Sequence, residues 1–113
     1  MRRSVRVLSR AQQDIDSCYA YISKYSPQGA ARWFNRLVEA RESLATDAEM
    51  RPLAAENAHF EYEIRELFFG TRQGKAYRLL FTIVDDEVIV LRVRRPGQDH
   101  VSAAELPERP PPE

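Results

Sequence analysis

The sequence predicts one α+β domain in which an N-terminal strand and a helical hairpin pack on an antiparallel sheet of about four strands. Three observations lead to this prediction. Two amphipathic helical segments are adjacent in the first half of the chain, three strand-like segments follow one another in the second half, and 113 residues suffice for one hydrophobic core. The predicted order of elements is strand, helix, helix and then three strands.

The chain begins with a short strand and continues into a helix. The stretch SVRVLS, residues 4–9, is rich in β-branched valine and alternates in the manner of a strand. Ser9 precedes Gln12 by three residues, which is the spacing of a capping box, so we expect Ser9 to cap the first helix. The apolar stripe of this helix follows steps of three and four residues. It consists of Ala11, Ile15, Cys18, Tyr19, Ile22 and Tyr25.

Ser26 and Pro27 predict the start of a second helix. A serine side chain can accept a hydrogen bond from the first helical turn, and proline suits the first helical position because an N–H there would have no partner. Two helices joined by so short a link run antiparallel. The second apolar stripe consists of Ala30, Trp33, Phe34, Leu37, Val38 and Leu44.

A proline-containing stretch, residues 46–60, breaks the helical period and is interpreted as a connecting loop. Three strand-like segments follow, and their short separators favour an antiparallel meander. The segments are residues 60–70, 74–84 and 87–95. The middle segment is apolar on both faces, which is typical of a central strand. We expect Leu80 and Val84 to lie on its less covered face.

Composition and termini indicate a folded intracellular domain. Apolar residues make up 43% of the chain, charged residues make up 30%, and the formal net charge is zero. The single cysteine, Cys18, excludes an intramolecular disulfide, and no apolar run is long enough for a membrane span or a signal peptide. We therefore expect a cytoplasmic protein with no membrane partner. The domain is predicted over residues 1–106, followed by a proline-rich disordered tail over residues 107–113.

Several strand positions that could hold apolar side chains hold arginines instead. An unpaired buried guanidinium costs several kcal/mol, so each arginine either pairs with a carboxylate or reaches the surface. One interpretation pairs Arg65 or Arg78 with Glu63, Glu66 or Asp85 as structural salt bridges.

The alternative interpretation gathers the strand arginines on one sheet face, where forked donors bind a phosphate or an acidic partner. Arg92 and Arg94 are two residues apart and should project to the same side, whereas Arg95 points to the other side. The candidate binding residues are Arg65, Arg78, Arg92, Arg94 and Arg95.

No motif for a metal or a cofactor accompanies these arginines. His59 and His100 are far apart in the sequence and lack a third ligand at a suggestive spacing, so a zinc site is not expected. The stretch GTRQG lacks the lysine of a phosphate-binding loop and the dinucleotide fingerprint. We expect neither metal nor cofactor.

The ordered set of segments resembles the RelE/ParE superfamily of toxins from bacterial type II toxin–antitoxin modules, also known from plasmid stabilisation. The resemblance spans roughly residues 4–100 and is carried by SPQGAARWFNRLVEARESL, IRELFFG, YRLLFTI and VIVLRVRR. It implies a growth-inhibiting toxin that is neutralised by a cognate antitoxin wrapped around it. Homodimerisation through the helical hairpin is left open.

One branch of the superfamily cleaves messenger RNA on the ribosome without a metal, using basic side chains around the scissile phosphate. Arg65 and Arg78 lie where two of those basic groups belong, while Glu63 departs from the pattern. His100 is the imidazole available for proton transfer in this region. The catalytic candidates, if the protein is a ribonuclease, are therefore Arg65, Arg78 and His100.

The other branch binds and poisons DNA gyrase without chemistry of its own, and it commonly has an R-E-L strand like residues 65–67 here. The zero net charge favours this branch, because RNA contacts favour a basic chain. The RNA-cleaving branch has a tyrosine or histidine near its C-terminus, and no tyrosine follows Tyr77 here, which also favours the gyrase-binding branch. The leading hypothesis is a gyrase-binding toxin. A ribosome-dependent mRNA endonuclease is the alternative, and a degenerate protein that only binds its antitoxin is the third.

Overall fold

The computed structural model describes residues 2–70 and 76–109, which form a four-stranded sheet and a pair of long helices. The elements are β1 (Ser4–Val7), α1 (Ser9–Tyr25), α2 (Pro27–Asp47), β2 (Arg65–Gly70), β3 (Ala76–Val84) and β4 (Glu87–Arg94). Short 3₁₀ turns occupy 48–50, 55–59 and 103–105. The predicted α+β class and element order are confirmed. Residues 71–75, which separate β2 from β3, lie outside the described residues.

The strands are arranged in the order β1-β4-β3-β2. β2 pairs with β3 and β3 pairs with β4 in antiparallel fashion, as the short separators predict. β1 lies parallel to β4, from Ser4 opposite Glu87 to Val7 opposite Val90. The sheet is therefore mixed and not wholly antiparallel. No tight turn joins β1 to its neighbour, and a long crossover connection permits the parallel arrangement.

The start of α2 follows the predicted capping chemistry. The Gly29 N–H donates to the Ser26 Oγ over 2.9 Å, and Pro27 occupies the first turn. The start of α1 differs from the prediction. Ser9 is already helical, and Leu8 precedes it in an extended conformation without a side-chain cap.

The first core lies between the helices and one face of the sheet, called the helix face. Ala11, Ile15 and Cys18 of α1 are buried there against Leu37 and Trp33 of α2. The strands contribute Leu67, Phe69, Tyr77, Leu79, Phe81, Val88, Val90 and Val93. Both predicted helical stripes are thus largely correct.

Three aromatic members of the predicted stripes are not buried. Tyr19 is 42% exposed, Phe34 is 44% exposed, and Tyr25 is 73% exposed. The Tyr19 and Phe34 rings meet edge to face with centroids 6.1 Å apart. Phe34 also lines a cleft between the two helices.

A second core covers the other face of the sheet, called the second face. Leu80, Ile89 and Leu91 are fully buried there. The segment between α2 and β2 covers them with Ala54 and Ile64, and the C-terminal segment, residues 95–109, covers them with Val101 and Leu106. The expectation that Leu80 lies on a partly open face is therefore wrong, because two irregular segments fold across it. Val84, near the end of β3, is 36% exposed.

The C-terminal segment contacts the body of the domain up to Pro107, whose carbonyl accepts a hydrogen bond from the Tyr62 hydroxyl. Residues 110–113 of the predicted tail lie outside the described residues. The boundary at residue 106 stays a prediction. Within the described ranges, no helix has the length and apolar character needed to cross a membrane.

Candidate functional site

Strand alternation places two of the predicted site residues on opposite faces of the sheet. Arg65 lies two residues before Leu67, so it points to the helix face, where its Nη1 donates to the Arg51 carbonyl over 2.6 Å. Arg78 lies two residues before Leu80 and points to the second face. Arg92 pairs with Leu80 and Arg94 pairs with Arg78 across β3 and β4, so Arg78, Arg92 and Arg94 share the second face, as predicted for several strand arginines, and Arg65 does not join them.

Arg78 is held by two carboxylates on the second face. Its Nη1 and Nη2 donate to the two oxygens of Glu56 over 3.1 and 2.7 Å, and its Nε donates to Glu66 over 3.0 Å. Glu56 is 2% exposed and also accepts the Val101 N–H over 2.9 Å. Burial acts to raise the pKa of Glu56, but the hydrogen bonds from Arg78 and Val101 outweigh it and lower that pKa to about 2.

Arg92 and Arg94 converge on one acid, as their two-residue spacing predicts. Arg92 Nη1 and Arg94 Nη1 lie 3.7 and 3.3 Å from the same oxygen of Glu105. Arg94 also donates to the Asp99 carbonyl over 2.6 Å. Both side chains are almost fully buried. They fasten the C-terminal segment to β4.

Asp14 of α1 completes this network at the edge of the sheet. The pairing of β1 with β4 ends at Val90, so the described residues offer no strand neighbour to the rest of β4 on that side. Asp14 substitutes for a neighbouring strand at this position. Its carboxylate accepts one hydrogen bond from the Val93 N–H over 2.9 Å and two from Arg92 over 2.8 and 3.0 Å. The Asp14 carboxylate thus satisfies a backbone N–H at the edge of the sheet and also forms an ion pair with the buried Arg92.

The interpretation in which strand arginines pair with carboxylates of the same chain is correct for Arg78, Arg92 and Arg94. Glu66 is a partner of Arg78, as that interpretation proposes, and Glu63 lies 3.5 Å from Arg65. Sequence reasoning missed Glu56, which lies in a segment without periodicity. No local pattern marks it as buried.

Arg95 is the exposed member of the predicted binding set. Its backbone N–H donates to the Gln98 side chain over 2.9 Å, and its own side chain is exposed. Burial raises the pKa of the Cys18 thiol to about 11, and the nearby charge of Arg95 opposes this increase. The charge of Arg95 is therefore available to a partner outside the domain.

His100 lies on the second face, away from Arg65. It is exposed and lines a shallow depression together with His59, Glu56 and Ser102. This depression follows the seam between the segment before β2 and the C-terminal segment. Within residues 2–70 and 76–109, no cluster of three His, Cys, Asp or Glu side chains is arranged to hold a metal ion.

A small apolar groove opens between the two helices. Its walls are formed by α1 and α2, its floor is formed by the sheet, and Gln12 and Arg41 lie at its rim. The apolar lining residues are Val7, Ile15, Phe34, Leu37, Val38, Leu79 and Val90. Helical periodicity assigns Phe34 and Val38 to the core and gives no sign that they border an opening.

A family model described as the ParE toxin of the type II toxin–antitoxin system parDE matches residues 5–100. The chain belongs to this family. The expected membership of the RelE/ParE superfamily is thereby confirmed, and the ParE-family chain is a toxin of the type II toxin–antitoxin class. A comparison with curated proteins finds no match.

Two solved structures are similar to this ParE-family chain. One is a chromosomal ParDE system from P. aeruginosa, with a TM-score of 0.62 and 23% identity over 82% of this chain and 95% of the other. The other is the RelBE2 toxin–antitoxin complex from Mycobacterium tuberculosis, with a TM-score of 0.47 and 25% identity over 84% of this chain and 99% of the other. The first supports the RelE/ParE fold.

Proposed function

We propose that this ParE-family protein inhibits growth by binding an essential target protein, with DNA gyrase as the first candidate, and not by cleaving RNA. One observation carries the proposal: the arginines that would surround a scissile phosphate are divided between two faces and bound internally. Arg78 has three donors committed to Glu56 and Glu66, and Arg65 lies across the sheet from it.

The electrostatics of the second face also oppose phosphate binding. A phosphate approaching Arg78 would be repelled by the negative charges of Glu56 and Glu66, which lie within 3.1 Å of its guanidinium nitrogens. Displacing Glu56 would leave a buried carboxylate without its cation, which is strongly unfavourable. Stabilising a transition state by charge requires donors that are free and oriented toward the reacting atoms. Arg78 is oriented toward carboxylates.

We further propose that the partner which neutralises the protein is an antitoxin whose helix inserts an apolar side chain into the groove between α1 and α2. The groove is mostly apolar, and Phe34, one of its lining residues, is 44% exposed. An amphipathic helix laid across such a groove buries both partners' apolar surface. The proposal implies a cytoplasmic protein, because gyrase acts on the chromosome.

The target is tested with the purified full chain in two parallel assays. We expect it to convert a gyrase supercoiling reaction into trapped, cleaved DNA and to leave messages intact in a translating extract. Arg65→Ala and His100→Ala should behave like the parent chain in both assays. Message fragmentation that disappears in either variant would overturn the proposal in favour of the ribonuclease.

Expression in a growing culture tests whether the protein is toxic at all. Growth arrest that co-expression of the antitoxin reverses is the expected result. Unimpeded growth with soluble, folded protein would instead identify a degenerate member that only binds its antitoxin.

A further inference from the structure

The turn end of the helical hairpin has an uneven distribution of charge. Residues 17–38, which form the second half of α1 and the first half of α2, contain Lys24, Arg32 and Arg36 and no acidic residue. The whole chain has 17 basic and 17 acidic residues, so the remainder has 14 basic and 17 acidic residues. The hairpin turn of a neutral protein therefore has an excess of positive charge.

The cations of this end are not used internally. Ion pairs among the described residues engage arginines of the strands and their flanking segments, and none engages Lys24, Arg32 or Arg36. All three side chains are exposed. They differ in this respect from Arg78, Arg92 and Arg94, whose guanidinium groups form ion pairs with carboxylates of the same chain.

The tertiary structure adds Arg95 to this end. Arg95 lies two residues beyond Val93, which faces the helices, and Arg94 pairs with Arg78 beside Tyr77. Arg95 therefore ends β4 on the helix face, near Tyr77 and the Trp33 ring that packs on it. We call the exposed residues Tyr21, Lys24, Tyr25, Arg32, Arg36 and Arg95 the basic end.

Two exposed tyrosines accompany these cations. Tyr21 and Tyr25 are 53% and 73% exposed, and their rings meet edge to face with centroids 5.3 Å apart. Lys24 lies on the same side of α1, since residues three and four apart share a helix face. Lysine, arginine and tyrosine side chains supply phosphate contacts in nucleic-acid complexes, and exposed aromatic rings offer surfaces on which bases stack.

We propose that the basic end binds the sugar–phosphate backbone of nucleic acid without reading its sequence. The cations come from α1, α2 and the end of β4, so they span the end of the molecule. Such a spread matches an extended polyanion with regularly spaced phosphates better than a compact cluster of carboxylates. The inference does not depend on the gyrase proposal, because it concerns a different surface and is measured with nucleic acid alone.

The test is fluorescence anisotropy of a labelled random-sequence DNA duplex and a labelled single-stranded RNA, titrated with the full chain at several salt concentrations. The variant combines Lys24→Gln, Arg32→Gln and Arg95→Gln. Each phosphate contact contributes about 0.9 to the slope of log affinity against log salt on duplex DNA. The triple variant should therefore flatten that slope by about 2 to 3 and weaken binding severalfold at low salt.

The matched control removes the same amount of charge elsewhere. Arg2, Arg10 and Arg109 are exposed, lie outside the basic end and belong to no ion pair within the described residues. Their triple change to glutamine should leave the slope unchanged. Three results would each overturn the inference. They are equal losses of affinity in both triple variants, undetectable binding by the parent chain at low salt, and equally tight binding of polyglutamate through the same three cations. Preference for duplex or single strand identifies the nucleic acid.

Discussion

At the scale of single residues, burial decides what each strand arginine does. Arg78 lies on a face that two segments cover, so its charge requires internal carboxylates. Arg95, one residue beyond β4, reaches solvent and keeps its charge available. Residue type alone would assign the two arginines the same role.

Glu56→Gln tests the internal role of Arg78. It removes the bidentate partner of a buried guanidinium, and losing one member of a buried pair typically costs about 3 to 5 kcal/mol. Because Glu66 remains as a second partner, we expect a loss of about 2 to 4 kcal/mol in the free energy of unfolding, measured by urea denaturation. Glu61→Gln, at an exposed position nearby, is the control and should change stability little. Equal stability of the two variants would contradict the internal role.

Glu56 also predicts how stability depends on pH. Its pKa of about 2 in the folded chain lies below its ordinary value of 4.5, so its stabilisation is complete above pH 4.5 and is lost as the pH falls toward 2. At about 1.4 kcal/mol per pKa unit, the loss is on the order of 3 kcal/mol. Denaturation between pH 2 and pH 7 should show this loss in the parent chain and much less of it in Glu56→Gln. Parallel pH profiles would exclude Glu56 as its source.

At the scale of elements, irregular segments supply contacts that the strands and helices do not make. The 3₁₀ turn at 55–59 brings Glu56 to Arg78, and the C-terminal segment brings Glu105 to Arg92 and Arg94. These two segments seal the second face. The cleft between α1 and α2 remains open on the other side of the sheet.

Phe34→Asp tests whether the cleft between the helices is the antitoxin site. A carboxylate at this exposed border position should weaken antitoxin binding at least tenfold, because a helix laid across the groove would bury it unpaired. Tyr25→Asp, an equally drastic change at the hairpin turn, should leave antitoxin binding within a factor of two. Isothermal titration with the antitoxin measures both. Similar losses in the two variants would place the antitoxin elsewhere.

At the scale of the whole molecule, the two proposed binding surfaces use different sides of α2: Phe34 lines the groove beside α1, whereas Arg36 borders a depression beside β2. The apolar groove is bordered by Phe34 and has Arg41 at its rim, and the basic end gathers free cations at the hairpin turn.

This separation predicts independent behaviour of the two surfaces. Phe34→Asp should leave the salt slope of nucleic-acid binding unchanged. The triple variant of Lys24, Arg32 and Arg95 should keep its thermal midpoint within a few degrees of the parent value, because none of these cations belongs to a described ion pair. Anisotropy and calorimetry on the same samples measure both. A salt slope that changes with Phe34 would show that the two surfaces are one.

The sequence by itself determined the features that depend on near neighbours. Helical periodicity located α1 and α2, Ser26 and Pro27 marked the start of α2, and strand alternation placed Arg92 and Arg94 on one side. The order of elements and the family likeness follow from the same local patterns.

Only the tertiary structure decided which acid meets which arginine and which face is covered. Glu56 is 22 residues from Arg78 in the sequence, and Asp14 is 78 residues from Arg92. The parallel pairing of β1 with β4 and the burial of Leu80 also depend on distant segments. A periodic pattern specifies the direction in which a side chain points. What lies in that direction is set by the packing of the whole chain, because contacts between remote segments leave no spacing in the sequence.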